Sequence, residues 1–351
     1  MTFHDIAGHR RLKRLLTRAV HSGSLPPSLV FAGPDGVGKR QAALALAQAL
    51  NCLDPVEDSA TGERDACGAC TSCHKITRGL HPDVLLVQRP EDKTEIVISQ
   101  AREINRQVGY RPFEGRSRVV VVDGAEELGV DSRDALLKTL EEPPPRNVFI
   151  LVTSRPHLLS TTILSRCCML RFAPLPADEI AATLVSRHGY DGDGARRAAA
   201  LSGGSLARAL EIGGGDVDDV RRAVADVLLK ASGPPDARTR LQVAAELLKA
   251  AAKKGKITEK GGKGPGAERG SLVATLRAMG SLLRDLAVLT TRAPEAVLVN
   301  LDLRGDLESL AGSYDRDRIG RAFSAVGRSL VALERHNASP KIVADWLALQ
   351  L

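Results

Sequence analysis

The sequence predicts an α/β phosphate-loop module built on a parallel sheet, followed by a small helical lid and an all-helical C-terminal domain. Three observations carry that prediction. A glycine-rich loop from Gly33 to Arg40 stands between a short apolar run and an Ala/Leu-rich helix. Further short apolar runs then alternate with helical stretches, the pattern of a parallel sheet covered on both faces. Past Pro174 and Pro176 the pattern is helical only. The expected divisions are 1–173 for the α/β module, 174–213 for the lid and 214–351 for the C-terminal domain.

Taken in order, residues 9–22 read as a helix with Leu12, Leu15, Leu16 and Ala19 on one face. Residues 28–32 form an apolar run suited to a buried strand, and 39–50 continue as a helix. Runs at 84–87, 119–122 and 148–152 read as further strands. Helices are expected at 99–108 and 132–142, the second stopped by Pro143, Pro144 and Pro145 because proline cannot continue a helix. A helical unit at 177–212 is broken at Gly203-Gly204. Longer helices follow at 217–230, 239–252, 272–290 and 319–336. The stretch 253–270 is rich in Gly and Lys and poor in apolar residues, which reads as a flexible basic surface loop.

Composition narrows the function classes. The 351 residues are 43% apolar and 26% charged, an ordinary globular balance. Aromatics are only 3%, which argues against base stacking as a main mode of nucleic-acid contact. The net charge of +7 sits mostly between Lys249 and Arg269, so a DNA argument from overall charge is weak. No run approaches the ~18 apolar residues of a membrane span. The N-terminus lacks an apolar signal region, so a cytoplasmic location is expected. Thiols stay reduced there, and clustered cysteines read as metal ligands.

The loop reads Gly33-Pro34-Asp35-Gly36-Val37-Gly38-Lys39-Arg40. In a working phosphate loop, backbone N–H groups and a helix N-terminus cradle the phosphates. Gly33, Gly36 and Gly38 allow the tight path, and Lys39 would reach the β/γ-phosphates. The next residue should offer magnesium a hydroxyl, but Arg40 has no acceptor at all. Asp123 ends an apolar run at the position of a Walker B carboxylate. Active ATPases of this kind usually carry Glu next, to orient water. Here Gly124 follows, and Glu126, two residues on, is expected to point elsewhere. ATP and Mg²⁺ binding is therefore expected to be weak or lost. The competing reading is a glycine-rich turn that no longer binds phosphate.

Cys52, Cys67, Cys70 and Cys73 supply four thiolates, three of them in CxxCxxC spacing. Structural Zn²⁺ is the expected occupant, with an iron–sulfur cluster as the alternative. His74 and His81 are possible substitute ligands, but four cysteines already fill a tetrahedron. Such a site has no open position and no catalytic role. Cys167 and Cys168 read as buried thiols outside it.

The run Asp134-Ala-Leu-Leu-Lys-Thr-Leu-Glu-Glu-Pro-Pro144 resembles the ALLKTLEEPP signature of bacterial DNA polymerase III clamp-loader subunits. Thr162-Ile-Leu-Ser165-Arg166-Cys167 resembles their SRC motif, and the opening Phe3–Gly8 and closing Asn337–Lys341 segments also fit. The resemblance spans the chain, loosely through 215–330, and is nearest to the delta-prime members. The gamma/tau motor members would keep Lys-Ser/Thr in the loop and Asp-Glu at Walker B, and this chain departs at both places. The resemblance implies an AAA+ module, a lid and a C-terminal collar that assembles with gamma/tau and delta subunits. The ring would open the sliding clamp and place it on primed DNA. It implies that Arg166 is an arginine finger reaching a neighbour's ATP, that Ser154 is a sensor-1 residue and Arg208 a sensor-2 residue, and that the cysteines form the family's zinc module. A clamp-loader subunit that does not hydrolyse ATP is the preferred reading. An active gamma/tau-type ATPase is the alternative, followed by a zinc-dependent DNA-binding protein.

Overall fold

The computed structural model describes residues 2–57, 64–90, 92–213, 217–233, 236–255, 265–291, 298–335 and 338–351. It divides into two compact units, Met1–Ala209 and Leu210–Leu351.

In the first unit, α1 (Arg10–His21) precedes β1 (Ser28–Ala32) and α2 (Lys39–Asn51). A short hairpin, β2 (Val56–Glu57) and β3 (Arg64–Asp65), leads to α3 (Thr71–Thr77). Then follow β4 (Val84–Val87), α4 (Ile98–Val108), β5 (Arg118–Asp123), α5 (Val130–Glu141), β6 (Asn147–Thr153), α6 (Thr161–Leu164) and β7 (Cys168–Arg171). The helices α7 (Ala177–His188), α8 (Gly192–Leu201) and α9 (Leu206–Gly213) complete the sequence-predicted lid region.

The main sheet has the order β4-β5-β6-β1-β7, and each adjacent pair is parallel. Its central strands are apolar throughout because both faces are covered. Leu29, Phe31, Val119, Val121, Ile150 and Val152 share one core with Ala43 and Leu46 of α2. The intervening residues Val30, Val120, Val122, Phe149 and Leu151 share the other with Ile104 of α4 and Leu136 of α5. This is a three-layer α/β module, with helices on both faces of a parallel sheet. The sequence had marked four of its strands; the fifth, β7, is short and partly exposed, so Cys-Met-Leu-Arg carries no strong apolar signal.

The second unit is all helix: α10 (Val217–Ala231), α11 (Ala237–Gly255), α12 (Pro265–Thr290), α13 (Arg304–Ala311), α14 (Arg316–Arg335) and α15 (Pro340–Ala348). Its core joins Leu228, Leu247, Leu276, Leu283, Leu307 and Leu347. The expected loop over 253–270 is shorter than its composition suggested. Residues 253–255 finish α11 and 265–270 open α12, with proline at a first helical position that does not need its N–H. Residues 256–264 lie outside the described residues. No helix among the described residues is long and apolar enough to cross a membrane.

Candidate functional site

The phosphate loop links β1 to α2. Gly38 stands at the N-cap of α2 with φ +102°, and Gly36 turns at φ +74°, conformations that side chains with a Cβ avoid. Lys39 is almost wholly buried and folded back on its own loop. Its Nζ donates to the carbonyls of Gly33 and Pro34, each at 2.7 Å, and lies 3.7 Å from Asp35. Burial lowers its pKa, against the pull of Asp35, Glu126 and Asp123.

Arg40 reaches across to the end of β5. Its Nη1 is 3.5 Å from Asp123 Oδ2, and the same oxygen accepts from Gln88 Nε2 at 2.8 Å. The carboxylate at the expected Walker B position is thus paired with the residue that stands in place of the expected hydroxyl. Lys39, Arg40, Asp123, Glu126, Ser154 and Arg155 line one cleft of about 360 Å³.

Glu126 corrects an expectation. The short 3-10 turn Ala125–Glu127 begins at Gly124 with φ +82° and brings Glu126 back into the cleft instead of pointing it elsewhere. Its side chain is 4% exposed. Oε1 accepts from Ser154 Oγ at 2.9 Å, Ser154 N at 3.3 Å and Arg155 Nε at 3.3 Å, while Oε2 is buried without a hydrogen-bond partner. Burial pushes its pKa up, but hydrogen bonds from Thr153, Ser154 and Arg155 outweigh this and lower it. Sequence spacing gave no sign of this, because the reversal depends on the conformation of Gly124.

The loop is also held from the start of α9. Ala207 N donates to Gly36 O at 3.2 Å, and a methyl group on Gly36 would lie 2.1 Å from Ser205 Oγ. Arg208 belongs to this contact through its backbone, which donates to Ser205 Oγ at 3.3 Å. Its guanidinium lies beside Gly203 and does not line the cleft.

Arg166 lies well along the chain from these residues, between α6 and β7. Nη1 donates to Thr162 O at 2.9 Å and Nη2 to Glu141 Oε2 at 3.1 Å. The neighbouring thiols differ from expectation. Cys167 is half-buried and Cys168 is exposed at the start of β7; burial, then Cys168, pushes the Cys167 thiol up to about 11.

The four cysteines converge from the end of α2, the segment after β3 and the start of α3. Their sulfurs all lie within 4.8 Å of one another. Cys52 Sγ is 3.5 Å from Cys67 Sγ and 4.0 Å from Cys70 Sγ. Tetrahedral Zn–S bonds of about 2.3 Å put sulfurs about 3.8 Å apart, so the donor set fits a four-thiolate metal. Backbone N–H groups of Cys67, Ala69 and Cys70 point at Sγ atoms. Burial raises the Cys70 thiol pKa, but backbone donors from Cys73 and Leu53 and the adjacent thiols outweigh it, bringing it down to about 6. His81 is not among the converging ligands; its Nδ1 accepts from Asp83 N at 3.1 Å.

Residues 8–176 match the family described as DNA polymerase III, delta subunit. That span contains the sheet, the loop, the cysteines and Arg166. The α/β unit of this chain is thus similar to subunits of DNA polymerase III. Clamp-loader relatives include the tau subunit of Bacillus subtilis, 32% identical over 51% of this chain and 30% of that protein. The tau subunit of Escherichia coli is 34% identical over 51% of this chain and 26% of that one. The delta′ subunit of Bacillus subtilis is 31% identical over 50% and 51%. The chain therefore spans between about a quarter and about half the length of these curated relatives. Among solved structures, a gamma-subunit-related protein of Thermotoga maritima is similar at 15% identity and a TM-score of 0.45, over 95% of this chain and 98% of that one.

Proposed function

We propose that this chain is a clamp-loader subunit of the delta-prime type, which does not hydrolyse ATP itself. In this reading it assembles with gamma/tau and delta subunits, helps place the sliding clamp on primed DNA, and lends Arg166 to the ATP of a neighbouring motor subunit. A guanidinium there would stabilise charge building on the transferred phosphoryl group. The four cysteines would hold a structural Zn²⁺ that ties the end of α2 to α3 and contributes folding energy.

The observation that carries the proposal is the Arg40–Asp123 pair at 3.5 Å. Magnesium in a phosphate-loop site needs a hydroxyl from the loop and a carboxylate from the strand end. Arg40 removes the first and occupies the second. Its fixed positive charge also opposes a cation at that place. Lys39, held on two carbonyls of its own loop, would have to give those bonds up before meeting a phosphate.

An active gamma/tau-type ATPase is the second reading, and Glu126 is what favours it. The residue is a buried carboxylate inside the cleft with one oxygen unpartnered. Steady-state ATP turnover by the purified chain separates the two. The first reading expects no Mg²⁺-dependent turnover. Turnover abolished by Glu126→Gln would establish the second.

A further inference from the structure

Arg166 lies against its own chain through the two nitrogens that a finger would present to phosphate. Nη1 is taken by Thr162 O and Nη2 by the Glu141 carboxylate. Nε is buried without a hydrogen bond, so the pairing of the fork leaves one donor of the guanidinium unsatisfied. Glu141 is the last residue of α5 and 56% exposed, and Arg166 is 29% exposed. A carboxylate–guanidinium pair in partial contact with water is weakly held and can be exchanged for a better acceptor. A phosphoryl group is such an acceptor, with more charge and more oxygens.

We infer that Glu141 is a positioning residue that parks Arg166 on its own chain and competes with the neighbouring subunit's phosphate for it. This rests on the reading of Arg166 as a finger. Thr162 O, a backbone group, stays as a tether when Glu141 is altered and keeps the arginine near its place. The carboxylate's charge is the exchangeable part. While the fork is on Glu141, Nη2 is engaged and the guanidinium's charge is partly offset by the carboxylate. Each engagement of the neighbour's ATP must first break that pair. Competition of this kind weakens the ATP-bound state of the assembly without changing the phosphoryl step itself.

The test is the ATPase of a reconstituted assembly containing gamma/tau, delta, the clamp and primed DNA. Turnover is measured against ATP concentration with the native chain, Glu141→Gln, Arg166→Ala and the double variant. Glu141→Gln is an exposed, near-isosteric change whose folding is checked by its melting curve. The expected result is a KM for ATP lowered about threefold with kcat unchanged, the size that a partly exposed pair allows. The double variant should then match Arg166→Ala. A native KM or a reduced kcat in Glu141→Gln, with Arg166→Ala impaired, overturns the competition and leaves the finger standing. Native turnover in Arg166→Ala removes both.

Discussion

A guanidinium 3.5 Å from Asp123 stands where a phosphate loop normally offers magnesium a hydroxyl. Replacing Arg40 with Ser restores that acceptor and releases Asp123 at once. Calorimetry with Mg²⁺-ATP should then show binding at least about tenfold tighter than native, equivalent to about 1.4 kcal/mol. Unchanged affinity would mean that the lid contact or the folded-back Lys39 blocks the site. Asp83 makes a second residue-scale case. It is fully buried and accepts from the backbone of Phe113, Glu114 and Gly115 and from Arg118 Nη2 at 2.8 Å. Burial raises its pKa, but these donors outweigh it and bring the pKa below the ordinary value. A carboxyl with a lower pKa folded than unfolded adds stability that is present above about pH 4. That stability is lost as pH falls through the folded value. Asp83→Asn should therefore flatten the acid limb of the stability curve. At pH 7 it should cost about 3–5 kcal/mol in urea unfolding, because Arg118 is left buried without its partner charge.

At the scale of elements, the strands were legible because both faces of the sheet are covered, which turns β1, β5 and β6 into continuous apolar runs. The loop-to-helix step was legible for a related reason: only glycines tolerate the backbone at Gly36 and Gly38. Elements positioned by tertiary contact were not. The return of Glu126 depends on a left-handed Gly124, and the helical start of α12 is hidden by Pro265-Gly266 composition. The docking of the α9 segment on the phosphate loop has no local signal either, yet it is testable. Gly36→Ala must accept both φ +74° and a methyl 2.1 Å from Ser205 Oγ. It should lower stability by about 1–2 kcal/mol from the backbone alone, read as a fall in urea midpoint. The cysteine spacing was legible in sequence, and the convergence of all four sulfurs follows it. Cys70→Ser should release bound metal and lower the melting temperature of the chain; full metal content with unaltered melting would remove the structural-zinc reading.

For the molecule as a whole, the cleft and Arg166 divide the chemistry. The cleft holds its own charges in internal pairs, Lys39 on its loop, Arg40 on Asp123 and Glu126 on Ser154. Arg166 sits outside it, paired with the exposed Glu141. On the proposed reading, such a chain acts on a neighbour's nucleotide in preference to its own. Reconstitution with gamma/tau and delta subunits tests it most directly, comparing clamp- and DNA-stimulated ATPase with the native chain and with Arg166→Ala. Intact assembly and a loss of about 10³-fold or more in stimulated turnover are expected for Arg166→Ala, the scale of an arginine finger. Stimulated turnover equal to native in a fully assembled Arg166→Ala complex would contradict the proposed reading.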